Sequence, residues 1–203
     1  MPMISPRKPR AAAAGFTMLE ILVALLILLV GLLGLAGLLV QTQQAEVEAY
    51  QRKQAAVLVQ DMLDRIRSNP FAAGASGQCY AFTNNVGAGT PALGTGNAVD
   101  ATFTCSVGSA SQQARGRADL KACNNALLGT SEKKGTANVG ALIDARGCVT
   151  TTGGEYVISV AWQGLQPTTP PPAVYTCGLN AYTNENLRRV VAITMRIADL
   201  SAP

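Results

Sequence analysis

Gly15-Phe16-Thr17-Met18-Leu19-Glu20, followed by the uncharged run from Ile21 to Val40, decides the reading of this chain. Those 20 apolar and uncharged residues, wound as a helix at about 1.5 Å each, reach roughly 30 Å, the thickness of a bilayer's hydrocarbon core. One carboxylate, Glu20, therefore stands inside an otherwise apolar membrane helix. An ionised acid at that depth costs several kcal/mol unless a partner offsets it, which makes Glu20 a functional candidate.

The flanks orient the segment. Arg7, Lys8 and Arg10 precede it with no acid among them, whereas Gln41-Thr42-Gln43-Gln44 follows it and the first base beyond is Arg52. Positive-inside bias puts the N-terminus in the cytoplasm and everything past Val40 outside. A secretory signal would have a shorter apolar core with an Ala-x-Ala-like site after it. Here the break comes before the apolar run, at Gly15-Phe16. Three of the 16 basic residues and none of the 12 acidic ones precede Gly15, so the rest of the chain is almost neutral. The basic isoelectric point is mostly a leader effect and gives no clustered basic face for nucleic acid. Histidine is absent, which removes Ser-His and Cys-His nucleophile pairs and any His metal site.

Beyond Val40 the pattern continues as helix. Val47, Tyr50, Leu58, Met62 and Ile66, with Ala55 bridging a gap, recur at helical steps and predict the buried stripe of an amphipathic segment. Ser68-Asn69-Pro70 stops it, because a residue before proline is pushed out of the helical region. The expectation is one helix over 17–68, about 52 residues and roughly 78 Å. Gly31, Gly34 and Gly37 fall in its membrane half at a spacing that is not Gly-x-x-x-Gly. They permit either close helix packing or a local loss of helix.

Residues 71–203 suffice for one small domain. The stretch 71–108 reads as a long decorated loop with one short strand at 102–107. A helix is expected over 111–128 with Ala114, Ala118, Ala122 and Leu127 inward. Strands are expected at 156–163, with Tyr156, Ile158, Val160 and Trp162 on one face, and at 189–197, with Val191, Ile193, Met195 and Ile197 on one face. Gly153-Gly154 is a hairpin signal to an earlier strand near 141–151. Pro167 and Pro170-Pro171-Pro172 mark an extended loop. The fold class is α+β: a long N-terminal helix, membrane-spanning in its first half, packed on an antiparallel sheet of three or four strands.

The short basic leader, Gly15, Phe16, Thr17, two apolar residues, Glu20 and the long apolar helix closely resemble the class III signal of type IV prepilins and type II secretion pseudopilins. The resemblance implies a leader of residues 1–15 cut after Gly15 by a prepilin peptidase, and N-methylation of Phe16 as the new first residue. It also implies a transmembrane and assembly helix over 16–40, an amphipathic continuation over 41–70 and an extracytoplasmic domain over 71–203. Glu20 would pair with the terminal amine of Phe16 on a neighbouring subunit, each charge offsetting the other only when that neighbour is present. Downstream, Asp61-Met62-Leu63-Asp64-Arg65-Ile66-Arg67-Ser68-Asn69-Pro70, Ala118-Asp119-Leu120, Tyr156 to Gly164 with Trp162, Cys177-Gly178 and Arg188-Arg189-Val190-Val191 look like the PilV-type minor pilin. That resemblance implies a low-copy subunit of an initiation or tip complex supporting pilus assembly, adhesion or motility. Its implied partners are other minor pilins, the major pilin, the inner-membrane assembly platform and, before assembly, the inner membrane itself. No cofactor, metal or nucleic acid is implied.

Five cysteines on an exported domain point to disulfides, and the number is odd. No Cys-x-x-Cys occurs, which argues against a zinc site. Cys79 and Cys105 flank the irregular loop, and Cys148 and Cys177 would tie the sheet to the C-terminal loop, though five cysteines leave the pairing open. Cys123 stands where the resembled family tends to have a large aromatic, which implies a buried free thiol. Three function classes remain: an assembly subunit, a type II secretion pseudopilin, and an anchored enzyme or receptor. Against an enzyme stand the missing histidine, the absence of Gly-x-Ser-x-Gly or a phosphate loop, and no paired catalytic carboxylates.

Overall fold

Fifty residues without a proline, Met18–Arg67, form α1 in the computed structural model, running unbroken through Gly31, Gly34 and Gly37. The described residues are 15–73, 79–81, 93–96, 105, 107–140 and 142–197. The chain divides into two compact units, Met1–Ala45 and Glu46–Pro203. In the first unit no described residue from Gly15 to Gln43 is shielded by the chain itself. Among the described residues, α1 is the one helix long and apolar enough to cross a membrane, with a mean hydropathy of 3.0 over its most apolar window.

The second unit begins with the last turns of α1 and ends them at the expected place. Pro70 takes the first position of a four-residue helix, α2 (Pro70–Ala73), where its missing N–H costs nothing. The buried stripe of α1 is Gln51, Ala55, Val59, Met62, Leu63 and Ile66, and this corrects the expected one: Val47 and Tyr50 are exposed. The stripe is rotated because Glu48, one residue and about 100° from Val47, is drawn inward. Its carboxylate accepts hydrogen bonds from the Leu165 and Gln166 amides and from Arg189.

Helix α3, Ala110–Leu127, starts at a capping box in which Ser109 and Gln112 bond each other's backbone amides. Its inward face also differs from the expected one. Ala114 and Ala118 are exposed and Ala122 half-buried, while Gly116, Asp119, Leu120, Cys123, Asn124 and Leu127 are buried. Two polar residues turn inward because each meets a partner from elsewhere in the fold. Asp119 accepts from the Tyr80 hydroxyl, and Asn124 accepts from the amide of Gly94.

Strands β1 (Leu93–Gly94), β4 (Arg146–Thr152), β5 (Glu155–Gln163) and β6 (Arg188–Arg196) form an antiparallel sheet in the order β1-β4-β5-β6. Gly153 and Gly154, both at positive φ (59° and 80°), make the two-residue turn between β4 and β5. Tyr156, Ile158, Val160 and Trp162 of β5 face the main core with Ala55, Val59, Met62 and Ile66 of α1 and Leu120, Cys123 and Leu127 of α3. The other sheet face carries a smaller cluster of Cys148, Ala161, Cys177 and Tyr182. A strand pair not expected from the sequence, β2 (Lys133–Lys134) with β3 (Ala137–Asn138), is exposed. Most of the expected strand at 102–107 lies outside the described residues, and Cys105 and Val107 within it are not strand.

Candidate functional site

The N-terminal end of α1 is set by Thr17. Its carbonyl accepts the first helical bonds, from the Glu20 and Ile21 amides at 3.1 and 3.3 Å, and its hydroxyl oxygen accepts from the Glu20 amide at 3.3 Å. Thr17 is thus the N-cap and Glu20 the third helical residue, the Thr-x-x-Glu spacing of a capping box. That signal was available in the sequence, and the membrane reading of Glu20 passed over it. Gly15 and Phe16 precede the cap outside the helix, and the Phe16 side chain is exposed. Glu20 is exposed as well, and among the described residues none forms an ion pair with it. An uncompensated carboxylate beside the positive end of a helix dipole is held there by about 0.3–1 kcal/mol when exposed to water. In an apolar medium it still requires a cation as partner.

In the second unit the downstream stretches singled out in the sequence meet at two polar hubs. At the first, Tyr80 donates to Asp119 at 2.7 Å and accepts from the Asn69 amide group at 3.0 Å. Asn69 also donates to the Gln112 carbonyl at 2.9 Å. Arg65 donates to Asp61 at 2.8 Å and to Asp119 at 3.2 Å. Asp61 and then Asp119 hold the Arg65 guanidinium above its ordinary pKa, against the opposing effect of burial. Burial, followed by the bond to Asp119, drives the Tyr80 hydroxyl above its usual range. This hub joins α1 to α3 and to the segment entering the first disulfide.

At the second hub Arg188, 1% exposed, donates to Glu185 at 2.6 Å and to the carbonyls of Tyr175 and Cys177 at 2.8 and 3.2 Å. Arg189 donates to Glu48 at 3.2 Å and to the Gln166 carbonyl. Gly164 leaves room for it, since a Cβ there would stand 2.7 Å from the guanidinium carbon and push the arginine head aside. Gly178 turns at φ +67°, where a Cβ would press on Tyr182 and Ala161. The two adjacent arginines thereby fasten the proline-bearing loop to α1 and β6.

Disulfides join Cys79 to Cys105 and Cys148 to Cys177, with Cα–Cα distances of 4.7 and 5.7 Å. Cys123 is free and buried. Burial, then the charge of Asp61, pushes its thiol up to about 12, with Arg65 opposing. A thiol so raised is protonated and unreactive at neutral pH. Among the described residues no group of three or more His, Cys, Asp or Glu could hold a metal.

The family model for the prokaryotic N-terminal methylation motif matches residues 10–36. No curated protein matches the chain, and neither does any solved structure. The matched segment holds Gly15, Phe16, the Thr17 cap, Glu20 and the first part of the exposed apolar helix, and a small antiparallel domain follows it in the sequence. The motif therefore supports a type IV pilin or pseudopilin.

Proposed function

We propose that this chain is a minor pilin of the PilV type, a structural subunit that joins an initiation or tip complex and supports assembly of a type IV pilus. On this reading residues 1–15 are a leader removed by a prepilin peptidase, 16–40 the membrane and fibre-core helix, 41–70 its amphipathic continuation, and 71–203 the exported domain. Arg7, Lys8 and Arg10 keep the N-terminus in the cytoplasm, and the disulfide-bearing domain lies across the inner membrane.

The observation that carries the proposal is Glu20: a carboxylate in an apolar helix that none of the described residues buries or pairs. Lipid can cover the apolar surface, but only a cation can offset the charge. The methylated amine of Phe16 on a neighbouring subunit supplies one, so the pair forms only between subunits and sets their register. The partners are then the peptidase, the inner-membrane assembly platform, the major pilin and other minor pilins. PilV in particular is favoured by the stretches around Asp61 to Pro70, Asp119 and Arg188-Arg189, which serve as fastenings of the fold.

Gly15→Val tests the processing step. The variant should remain about 15 residues longer than the mature form and stay in the membrane, as read by intact mass of the membrane fraction. Normal cleavage of the variant would reject the prepilin reading. Recovery of the wild type in sheared pili separates a pilin from a secretion pseudopilin, which would be missing from them.

A further inference from the structure

We infer that Thr17 is a positioning residue for cleavage of the Gly15–Phe16 bond: its side chain fixes the start of α1 and so keeps that bond out of the helix. The inference rests on the processing reading above and goes beyond it, because the bond's availability then depends on a residue downstream of it.

Hydrolysis of this bond adds the hydroxyl of a water to the Gly15 carbonyl carbon, breaks the C–N bond and leaves the proton on the Phe16 nitrogen. The carbonyl must therefore be free to be approached, as in exposed, non-helical chain. Among the described residues nothing bonds it: α1 takes its first bonds at the Thr17 carbonyl, the Thr17 hydroxyl oxygen accepts from the Glu20 amide, and Gly15 and Phe16 lie ahead of the helix. A Cβ built at Gly15 meets nothing within 4 Å, so the backbone there is open on that side as well.

Propensity alone does not hold the helix to this start. Ala11 to Ala14 are the best helix formers of all, so the stop comes from Gly15 and Thr17. Glycine ranks close to threonine as an N-cap. If the start slipped back by two residues, Gly15 would be the cap and Phe16 the first helical residue. The Gly15 carbonyl would then accept the first helical bond, from the Leu19 amide, and the scissile group would be locked inside the turn.

The test uses the full-length precursor in membrane vesicles with purified prepilin peptidase, at limiting substrate, with product followed by intact mass. Thr17→Val removes the cap at nearly constant shape, whereas Thr17→Ser and Thr17→Asn keep a capping oxygen. Cleavage of Thr17→Val should slow by roughly fivefold, and the Ser and Asn variants should stay within about twofold of wild type. Thr17→Val cut at the wild-type rate overturns the inference. Thr17→Asn as slow as Thr17→Val also overturns it, because the peptidase would then be reading threonine itself. A wild type that is not cut removes the processing reading and this inference with it, whereas a cut wild type beside an unaffected Thr17→Val removes this inference alone.

Discussion

At Glu20 the backbone and the side chain have separate partners. The amide is bonded by Thr17, and on the proposed reading the carboxylate waits for a neighbouring subunit. Glu20→Ala removes the second without touching the first, because alanine presents the same amide to the Thr17 cap. On that reading export and cleavage, and with them the melting temperature of the sheet domain, should therefore match wild type. Incorporation into fibres should fall on the order of tenfold or more, since the neighbour's amine would be left in an apolar core without its counter-charge. Glu20→Asp should recover part of the loss, its shorter side chain reaching less far. The readout is the amount in sheared fibres relative to the membrane fraction, and equal incorporation of the Ala variant and wild type would sink the pairing. Other single residues are set by backbone demands of a different kind. Gly94, at φ +86°, faces the Ala145 carbonyl where a Cβ would have to go, so β1 cannot carry a larger residue there.

Among the elements, α1, α3 and the strands β4 to β6 were legible because each is long enough for its period to repeat. The faces of the helices were less so. Ala114, Ala118 and Ala122 formed a neat stripe at four-residue steps, yet α3 turned Asp119 and Asn124 inward toward partners 39 and 30 residues away. No local period encodes a partner at that range. The same holds for α1, where Glu48 binds a loop 117 residues further on and turns Val47 outward. A strand of two residues, Leu93–Gly94, has no period to read at all. Of the candidate site, the order Gly15, Phe16 and Glu20 carried the resemblance, and the Thr-x-x-Glu spacing that marks the Thr17 cap stood beside it in the same stretch. The Asp119 hub gives these buried polar faces a measurable consequence. Asp119→Ala strands the buried Tyr80 hydroxyl and weakens the hold on Arg65, and should cost about 2–3 kcal/mol. Asp61→Ala removes only the more exposed i,i+4 partner of Arg65, and should cost less than about 1 kcal/mol. Urea midpoints of the two variants at unchanged slope measure both. Equal losses would mean that Arg65 and not the Tyr80–Asp119 pair is the centre of the hub.

On the scale of the whole molecule the two units rely on different supports. The first exposes an apolar helix that needs lipid or other subunits around it, whereas the second carries its own core and two covalent ties. The bridges close loops of 26 and 29 residues, each worth about 3.5 kcal/mol in the loop-entropy account. For a small domain with little stability to spare that is a large share. The arrangement fixes what alkylation of the full chain in detergent should give. In the native state no cysteine should react, because four are bonded and Cys123 is 3% exposed with its thiol pushed up to about 12. Denaturation without reductant should expose Cys123 alone, so one label should be added, at the peptide containing it. Reduction before denaturation should give five labels and a melting temperature lower by more than ten degrees, given about 4–8 °C per kcal/mol for a domain near 100 residues and about 2–4 °C per kcal/mol for larger ones. Three labels without reductant would mean that one of the two bridges is open in the protein. A single label found on any cysteine other than Cys123 would mean that the pairing itself is different, and on Cys148 or Cys177 it would mean that the loop following β5 is held by Arg188 and Arg189 without its covalent tie to β4.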